Sequence, residues 1–306
     1  MAEPIVKTIT QYRGEFEETY EGLRKRATAF QGVAKDELVK YQEKLAQLQP
    51  QINAQRDELI QVLQDVNAPV EEGAPAKLME ALLWTATIQF GYHLAFLFIG
   101  GALSGLVGVV FDTYPAIFLA YLLIPIAAIL HIKANNDSDV TTRFKILSIA
   151  AVEGILTGFL FSNRYLASWQ PAPFISTAVL AAAAPIVAEK VGNARTAFIG
   201  GTVGAALGVQ LVLGLLSGNL GFAYLLLSVL YAGIGFATVQ FYLKYSANDT
   251  AKAAYYVQLG YFFASILVQA LVFFLFGIPA DAVAATRNAE AEAEAARAAA
   301  APIPRK

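Results

Sequence analysis

Glu153 and His93 are ionisable side chains that lie inside long apolar stretches of this sequence. Glu153 is close to the middle of the run 146–162, which is about long enough to cross a bilayer as a helix. A carboxylate at that depth costs at least a few kcal/mol unless it is protonated, hydrated or paired. Two interpretations of Glu153 stay open: a functional group, or a carboxyl that hydrogen-bonds a neighbouring helix.

Three further polar side chains could share a pathway with Glu153. They are His93, Gln240 and Gln258, all within apolar segments. A carboxyl that faces an imidazole could exchange a proton near neutral pH, although no spacing in the sequence fixes such a contact. We predict an ion pathway through these four residues. The alternative is that the histidine and the glutamines only hold helices together by hydrogen bonds.

Enzyme, metal and cofactor chemistry find no support in the sequence. The chain has no cysteine, which excludes disulfides, thiolate metal sites and cysteine nucleophiles. Its two histidines are too few for a histidine-rich metal cluster, and no HExxH, P-loop or GxSxG motif occurs. A net charge of −2 gives no argument for nucleic acid. We predict a protein that is not an enzyme and has no metal, no cofactor and no nucleic-acid partner.

The composition places the chain in a lipid bilayer. Hydrophobic residues make up 57% of the 306 residues and charged residues only 15%, whereas soluble domains carry roughly 25% charged residues. Residues 1–22 lack the apolar core of a signal peptide, so we expect insertion to rely on the first internal hydrophobic helix. We predict an all-α polytopic membrane bundle of about seven transmembrane segments. The predicted segments are 81–110, 116–132, 146–162, 174–188, 196–216, 222–243 and 254–276.

An N-terminal arm precedes the bundle. Its apolar residues recur in steps of three and four, which predicts an amphipathic, coiled-coil-like helical arm. The stripe consists of Tyr12, Phe16, Tyr20, Leu23, Ala27 and Phe30, followed by Leu38, Tyr41, Leu45 and Leu48. Acids crowd its polar face, which favours packing against a partner helix or the arm's own return helix over lying on anionic lipid. We predict an arm and linker over 1–79, a membrane domain over 80–278, a tail over 279–306, and a protein partner bound through residues 1–66.

The loop charges predict an orientation. Basic residues gather in the second, fourth and sixth loops, and the other loops hold only Arg164. The basic set is Lys133, Arg143, Lys145, Lys190, Arg195, Lys244 and Lys252. The positive-inside rule then puts these loops and the N-terminus in the cytosol. The glycosylation sequons at Asn136 and Asn248 fall in the same loops, so we predict that both stay unmodified. The side of the tail depends on whether the seventh segment crosses or is re-entrant.

Glycines at a spacing of four predict close helix contacts. Gly154 and Gly158 form one such pair, and Gly200 and Gly204 form another. Helices in lipid are not driven together by the hydrophobic effect, and small residues let their backbones approach. We therefore assign these four glycines to helix packing.

Three short motifs resemble the transmembrane Bax inhibitor motif family, over about residues 81–276. They are Glu153-Gly154-Ile-Leu-Thr-Gly158 in the third segment, Ser176-Thr177-Ala178 in the fourth, and Arg195-Thr-Ala-Phe-Ile-Gly200-Gly201 leading into the fifth. The chain departs from that family in having Phe159 after Gly158, where the family has proline. It also has Gln240 and Gln258 where calcium-leaking members carry acids.

The resemblance implies a divergent Bax-inhibitor-like protein. Such a protein would modulate calcium or proton homeostasis and cell-death signalling through the buried Glu153. It would lie in the endoplasmic reticulum or another endomembrane, with a mitochondrial membrane as the alternative. The missing acids leave a second hypothesis open: a non-conducting structural or adaptor subunit of a membrane complex, which recruits partners through the N-terminal arm.

Overall fold

The computed structural model describes residues 49–50, 53–134, 137–166, 169–247 and 250–285. The chain divides into two compact units, Met1–Gln61 and Val62–Lys306. Residues 53–61 of the first unit are helical. The predicted arm over residues 1–48 lies outside the described residues, as does the Ala/Glu-rich tail from residue 286. Val70 and Leu78 belong to the buried core of the second unit, and the predicted domain boundaries stay a prediction.

The described part of the second unit is all-α apart from one short pair of strands. In chain order its elements are α1 (Ala74–Leu94), which continues as a π-helix (Ala95–Gly101), α2 (Ser104–Val110), α3 (Thr113–Phe118), a second π-helix (Leu119–Leu123), α4 (Ile124–Ala134), α5 (Asp139–Phe161), β1 (Arg164–Tyr165), α6 (Pro173–Val191), α7 (Arg195–Leu216), α8 (Phe222–Tyr245), α9 (Thr250–Phe276) and β2 (Ile278–Pro279). Residues 280–285 are helical again.

Seven helical segments in the described part of the chain are long and apolar enough to cross a membrane. They are Ala74–Gly101, Thr113–Ala134, Asp139–Phe161, Pro173–Val191, Arg195–Leu216, Phe222–Tyr245 and Ala251–Phe276. This confirms the predicted all-α fold with seven spans. The predicted first segment, 81–110, is broken: it ends as a π-helix at Gly101, and α2 is a separate helix. Glycines and a serine in this stretch weaken the helix there, because they have low helix propensity.

Local sequence accounts for several helix ends. Gly73 adopts a left-handed conformation (φ 80°) just before α1, and Pro75 lies in the first turn, where its missing N–H costs nothing. The Ser138 hydroxyl accepts a hydrogen bond from the Thr141 N–H at 3.3 Å and caps α5. Gly192 (φ 59°) ends α6. These caps fix where the helices next to the candidate site begin and end.

α1 lies in the interior of the bundle and contacts α5, α6, α8 and α9. Leu78 and Leu82 of α1 join Leu180 and Phe198 in one buried cluster. Further along α1, Tyr92 lies in a second buried cluster with residues of α4, α5 and α9. α1 is therefore the helix on which the polar interior of the bundle is assembled.

The bundle has two distinct ends. At the proximal end, residues 62–73 pack beside the α6–α7 loop, and Val70 N donates to Asn193 O at 3.1 Å. At the distal end β1 pairs with β2, and Ala280 N donates to Asn163 O at 3.0 Å. Because β1 follows the third span and β2 follows the seventh, α9 runs the full length of the bundle. The chain thus leaves the seventh span at the distal end.

Candidate functional site

Glu153 lies inside the bundle. Its side chain is 0% exposed, and neither carboxylate oxygen has a hydrogen-bond partner among the described residues. It lies close enough to Tyr92 and Tyr121 to interact with them electrostatically. Such a group usually requires a partner, because an unsatisfied buried polar group costs roughly 1–3 kcal/mol.

A string of hydrogen bonds runs from the main chain of Glu153 toward the distal end. The Thr157 hydroxyl donates to Glu153 O at 2.6 Å and lies 3.0 Å from the Tyr92 hydroxyl. That hydroxyl donates in turn to Gln269 Oε1 at 3.3 Å, and Gln269 Nε2 donates to Gln170 Oε1 at 2.7 Å. The string links α1, α5, α9 and the loop before α6.

Several other buried polar atoms have no hydrogen-bond partner in the described part of the chain. They are Gln89 Oε1, both amide atoms of Gln258, and the hydroxyls of Tyr121, Tyr231 and Tyr242. No group of three or more His, Cys, Asp or Glu that could hold a metal ion occurs among the described residues. The interior is thus polar, but the described residues offer no cluster of metal ligands.

The four residues predicted to form an ion pathway are not joined to one another. His93 Nδ1 lies 2.8 Å from Gln89 O one turn earlier in α1, and its ring meets Phe174 edge-on at 5.7 Å. Gln258 is fully buried without a hydrogen-bond partner, and no hydrogen bond from Glu153 reaches any of the other three within the described residues. His93 is thus bonded within its own helix, and the ion pathway stays a prediction.

Gln240 lies at the proximal end, in contact with Arg195. The Arg195 guanidinium donates to Gln240 Oε1 from Nε at 2.9 Å and from Nη2 at 2.6 Å. The Gln240 amide donates from Nε2 to Leu63 O at 3.3 Å. Asp65 Oδ2 lies 3.8 Å from Arg195 Nη1, and the Thr196 hydroxyl donates to Val66 O at 2.9 Å. We call this group the proximal clamp: Arg195, Thr196 and Gln240 with the segment 62–70.

The sequence did not identify Arg195 as a site residue; it entered there as a loop charge and as the first residue of one resemblance motif. One signal was available: it is the first residue of a long apolar helix. The N-terminal end of a helix dipole disfavours a cation, so an arginine at that position needs a specific partner. The identity of that partner, 45 residues later in the chain, is a matter of tertiary structure.

A second network links three helices at the proximal end. Arg143 Nη2 of α5 lies 2.8 Å from Glu80 Oε1 of α1, and its Nε lies 2.8 Å from Asp139 Oδ2. The Tyr255 hydroxyl of α9 donates to Asp139 Oδ1 at 2.5 Å, and the guanidinium lies 4.9 Å from the Trp84 ring centre. Such a planar cation can bond two carboxylates and stack on an aromatic ring at once.

The two glycine pairs differ in their surroundings. A Cβ built on Gly154 would lie 2.3 Å from Tyr92 O, and one built on Gly158 would lie 2.3 Å from Phe96 O. At Gly200 and Gly204 a Cβ would meet nothing within 4 Å. The close approach of α5 to the first span therefore uses the first pair, whereas the surroundings of the second pair are open among the described residues and its packing role stays a prediction.

Comparison with known proteins decides the family. A family model described as "Interactor of ZYG-11" matches residues 2–279. The chain belongs to this family. Searches of curated proteins and of solved structures found no match. The match covers both the N-terminal unit and the seven spans of this ZYG-11-interactor family member.

The identification as a Bax-inhibitor-like protein is wrong, because the family match is to a different family and no Bax inhibitor family matched. The roles in calcium or proton homeostasis and in cell-death signalling, which that resemblance implied, are therefore wrong as well. The physical reason is visible in the structure. Gly154 and Gly158 are needed for the α5 contact with the first span, so the motif that suggested the resemblance is explained by packing that any membrane bundle can use.

Proposed function

We propose that this protein is a membrane-embedded adaptor that binds ZYG-11, the protein named in the description of its family, through the N-terminal arm. The observation that carries the proposal is the family match over residues 2–279, which includes the arm. The hypothesis of an adaptor subunit, drawn from the long arm and the missing acids, fits this family better than the transport hypothesis does.

The surface of the bundle favours the arm as the binding region. Large apolar side chains are exposed around the spans, among them Phe98, Leu106, Leu130, Leu215 and Phe274. A surface of this kind suits lipid, because contiguous exposed apolar area of this size is otherwise rare. The arm is polar apart from one stripe at helical spacing, and such a stripe suits docking on a helix of a protein partner. Residues 1–66 are therefore the proposed partner-binding region.

Orientation completes the proposal. The basic loops after the second, fourth and sixth spans lie at the proximal end, where residues 62–73 also pack. By the positive-inside rule this end faces the cytosol, and the arm meets its partner there. The location in the endoplasmic reticulum or another endomembrane stays a prediction, as does the absence of enzyme activity.

The proposal is tested with the full chain in lipid nanodiscs and purified ZYG-11. Leu23→Asp with Phe30→Asp places two charges on the apolar stripe of the arm. Gln11→Asp with Thr28→Asp adds the same charge on the opposite face of the predicted helix and serves as the control. We expect the stripe variant to lose at least about tenfold in affinity, because burial of even one such side chain is worth roughly 1.5–3 kcal/mol. We expect less than about threefold for the control.

Two results would contradict the proposal. One is the absence of binding between the unmodified protein and ZYG-11. The other is equal affinity of the stripe variant and its control, which would move the binding surface away from the stripe. Measurement of affinity by biolayer interferometry on immobilised nanodiscs distinguishes these outcomes.

A further inference from the structure

Arg195 is a buried cation at a helix N-terminus, which is an unfavourable position on two counts. The residue is 5% exposed, and the positive end of the α7 dipole lies at the same place. Burial of a charge is costly unless the charge is paired and hydrogen-bonded. In the described part of the chain its hydrogen-bond acceptors are the side-chain and main-chain oxygens of Gln240, with Asp65 at 3.8 Å. The placement calls for a role beyond packing.

Gln240 connects Arg195 to the segment before α1. Its amide oxygen accepts from the guanidinium while its amide nitrogen donates to Leu63 O at 3.3 Å. A side-chain amide is the group that can accept and donate at the same time in this way. Two more hydrogen bonds attach the segment to the bundle. They run from the Thr196 hydroxyl to Val66 O and from Val70 N to Asn193 O.

The clamp begins next to the boundary between the two units. Leu63 is two residues after Gln61, the last residue of the first unit. Without the bonds from Gln240 and Thr196 the next fixed point is Val70, which is buried and bonded to Asn193, after residues 64–69. A flexible stretch of that length has an end-to-end distance of about 13 Å. Loss of these hydrogen bonds would therefore let Leu63, which lies next to the first unit, move over about that distance.

We propose that Arg195 is a positioning residue for partner binding. With Gln240 it pins residues 62–70 to the proximal end of the bundle, so that the last part of the proposed binding region, residues 1–66, is held in place before ZYG-11 arrives. The inference rests on the proposed function for its partner, but the clamp itself is a property of this chain. A segment that is ordered in advance binds more tightly, because its ordering entropy is not lost on binding.

The clamp is tested by a distance measurement that needs no partner. The chain lacks cysteine, so spin labels can be attached at Gln64→Cys in the segment and Lys244→Cys at the end of α8, both exposed positions. We expect one narrow distance distribution with the clamp intact. In Arg195→Met and in Gln240→Leu we expect the distance distribution to broaden, up to a width of about 13 Å.

Two variants sharpen the test. Gln240→Glu still accepts from Arg195 but cannot donate to Leu63 O, so we expect a broad distribution with little loss of thermal stability. This variant keeps the test valid if Arg195→Met does not fold. Arg143→Met is the control, because it breaks the other proximal network, which bonds Glu80 and Asp139. Its distribution should stay narrow.

Affinity for ZYG-11 is then measured with the same variants in nanodiscs. We expect Arg195→Met and Gln240→Glu to bind about tenfold more weakly, because the cost of ordering a residue or two shifts to the binding step. Unchanged distance distributions would overturn the clamp. Broad distributions with unchanged affinity would overturn the positioning role. Failure of the unmodified protein to bind ZYG-11 would overturn the proposed function and the positioning role. The distance measurement would still test whether the clamp exists, because it needs no partner.

Discussion

Substitution of Gly158 by alanine tests the contact between α5 and the first span. The added Cβ would lie 2.3 Å from Phe96 O and 2.9 Å from Gly100 Cα. Both are main-chain atoms, so no rotamer change relieves the clash and the two helices must move apart by about 1 Å. A gap of 0.5–1 Å already loses roughly a quarter to a half of the dispersion attraction between the facing atoms. Overpacking of this kind costs about 1–3 kcal/mol.

Gly204→Ala is the matched control. It makes the same chemical change in another span, but the new methyl group meets nothing within 4 Å. Glycine in the middle of a helix is less favourable than alanine by roughly 0.5–1 kcal/mol. We therefore expect Gly204→Ala to stabilise slightly and Gly158→Ala to destabilise. The free energies of unfolding of the two variants should differ by about 1.5–4 kcal/mol.

The assay is reversible unfolding in mixed detergent micelles, followed by the helical circular dichroism signal, with thermal midpoints as a second measure. A difference of 1 kcal/mol shifts the midpoint by about 2–4 °C in a protein of 150–250 residues, so the two variants should be clearly separated. Equal midpoints would refute the reasoning. They would mean that α5 and the first span are not in backbone contact in the folded protein.

Three further predictions concern the polar residues. Glu153→Leu removes an unpartnered buried carboxyl, and we expect it to raise the free energy of unfolding by about 1–3 kcal/mol; a clear loss of stability would show that the carboxyl is bonded in the folded protein. Arg143→Lys keeps the charge but not the geometry that bonds two carboxylates, so we expect a loss of about 1 kcal/mol that shrinks in high salt; a loss independent of salt argues against the ion pairs. Expression in cells that glycosylate should leave Asn136 and Asn248 unmodified, and a glycan on either, seen as a mass shift removed by endoglycosidase, would reverse the orientation.

The seven spans and the all-α class were accessible from the sequence, because they depend on local quantities. Length and hydropathy of a segment are summed over neighbouring residues, and a helix is the structure that satisfies its own backbone in lipid. The break after Gly101 was less accessible, since the predicted segment 81–110 is apolar throughout and only its glycine content indicates where the helix is interrupted.

The roles of individual residues were less accessible. The motif at Gly154 and Gly158 was interpreted as a family signature, although small residues at that spacing arise wherever two helices approach closely. Gln240 was assigned to an ion pathway because it lies in an apolar segment. In the structure it lies near the end of α8, where it bonds Arg195 and Leu63 O, and the ion pathway stays a prediction.

By itself, the sequence determined which stretches form helices, that they are suited to a bilayer, and which loops share a charge sign. The tertiary structure alone decided which of two identically spaced glycine pairs faces another backbone, which residue pairs with Arg195, and at which end of the bundle the chain leaves the seventh span. The reason is physical: periodicity fixes which residues share a face of a helix, but the direction in which that face points depends on how all the helices pack together.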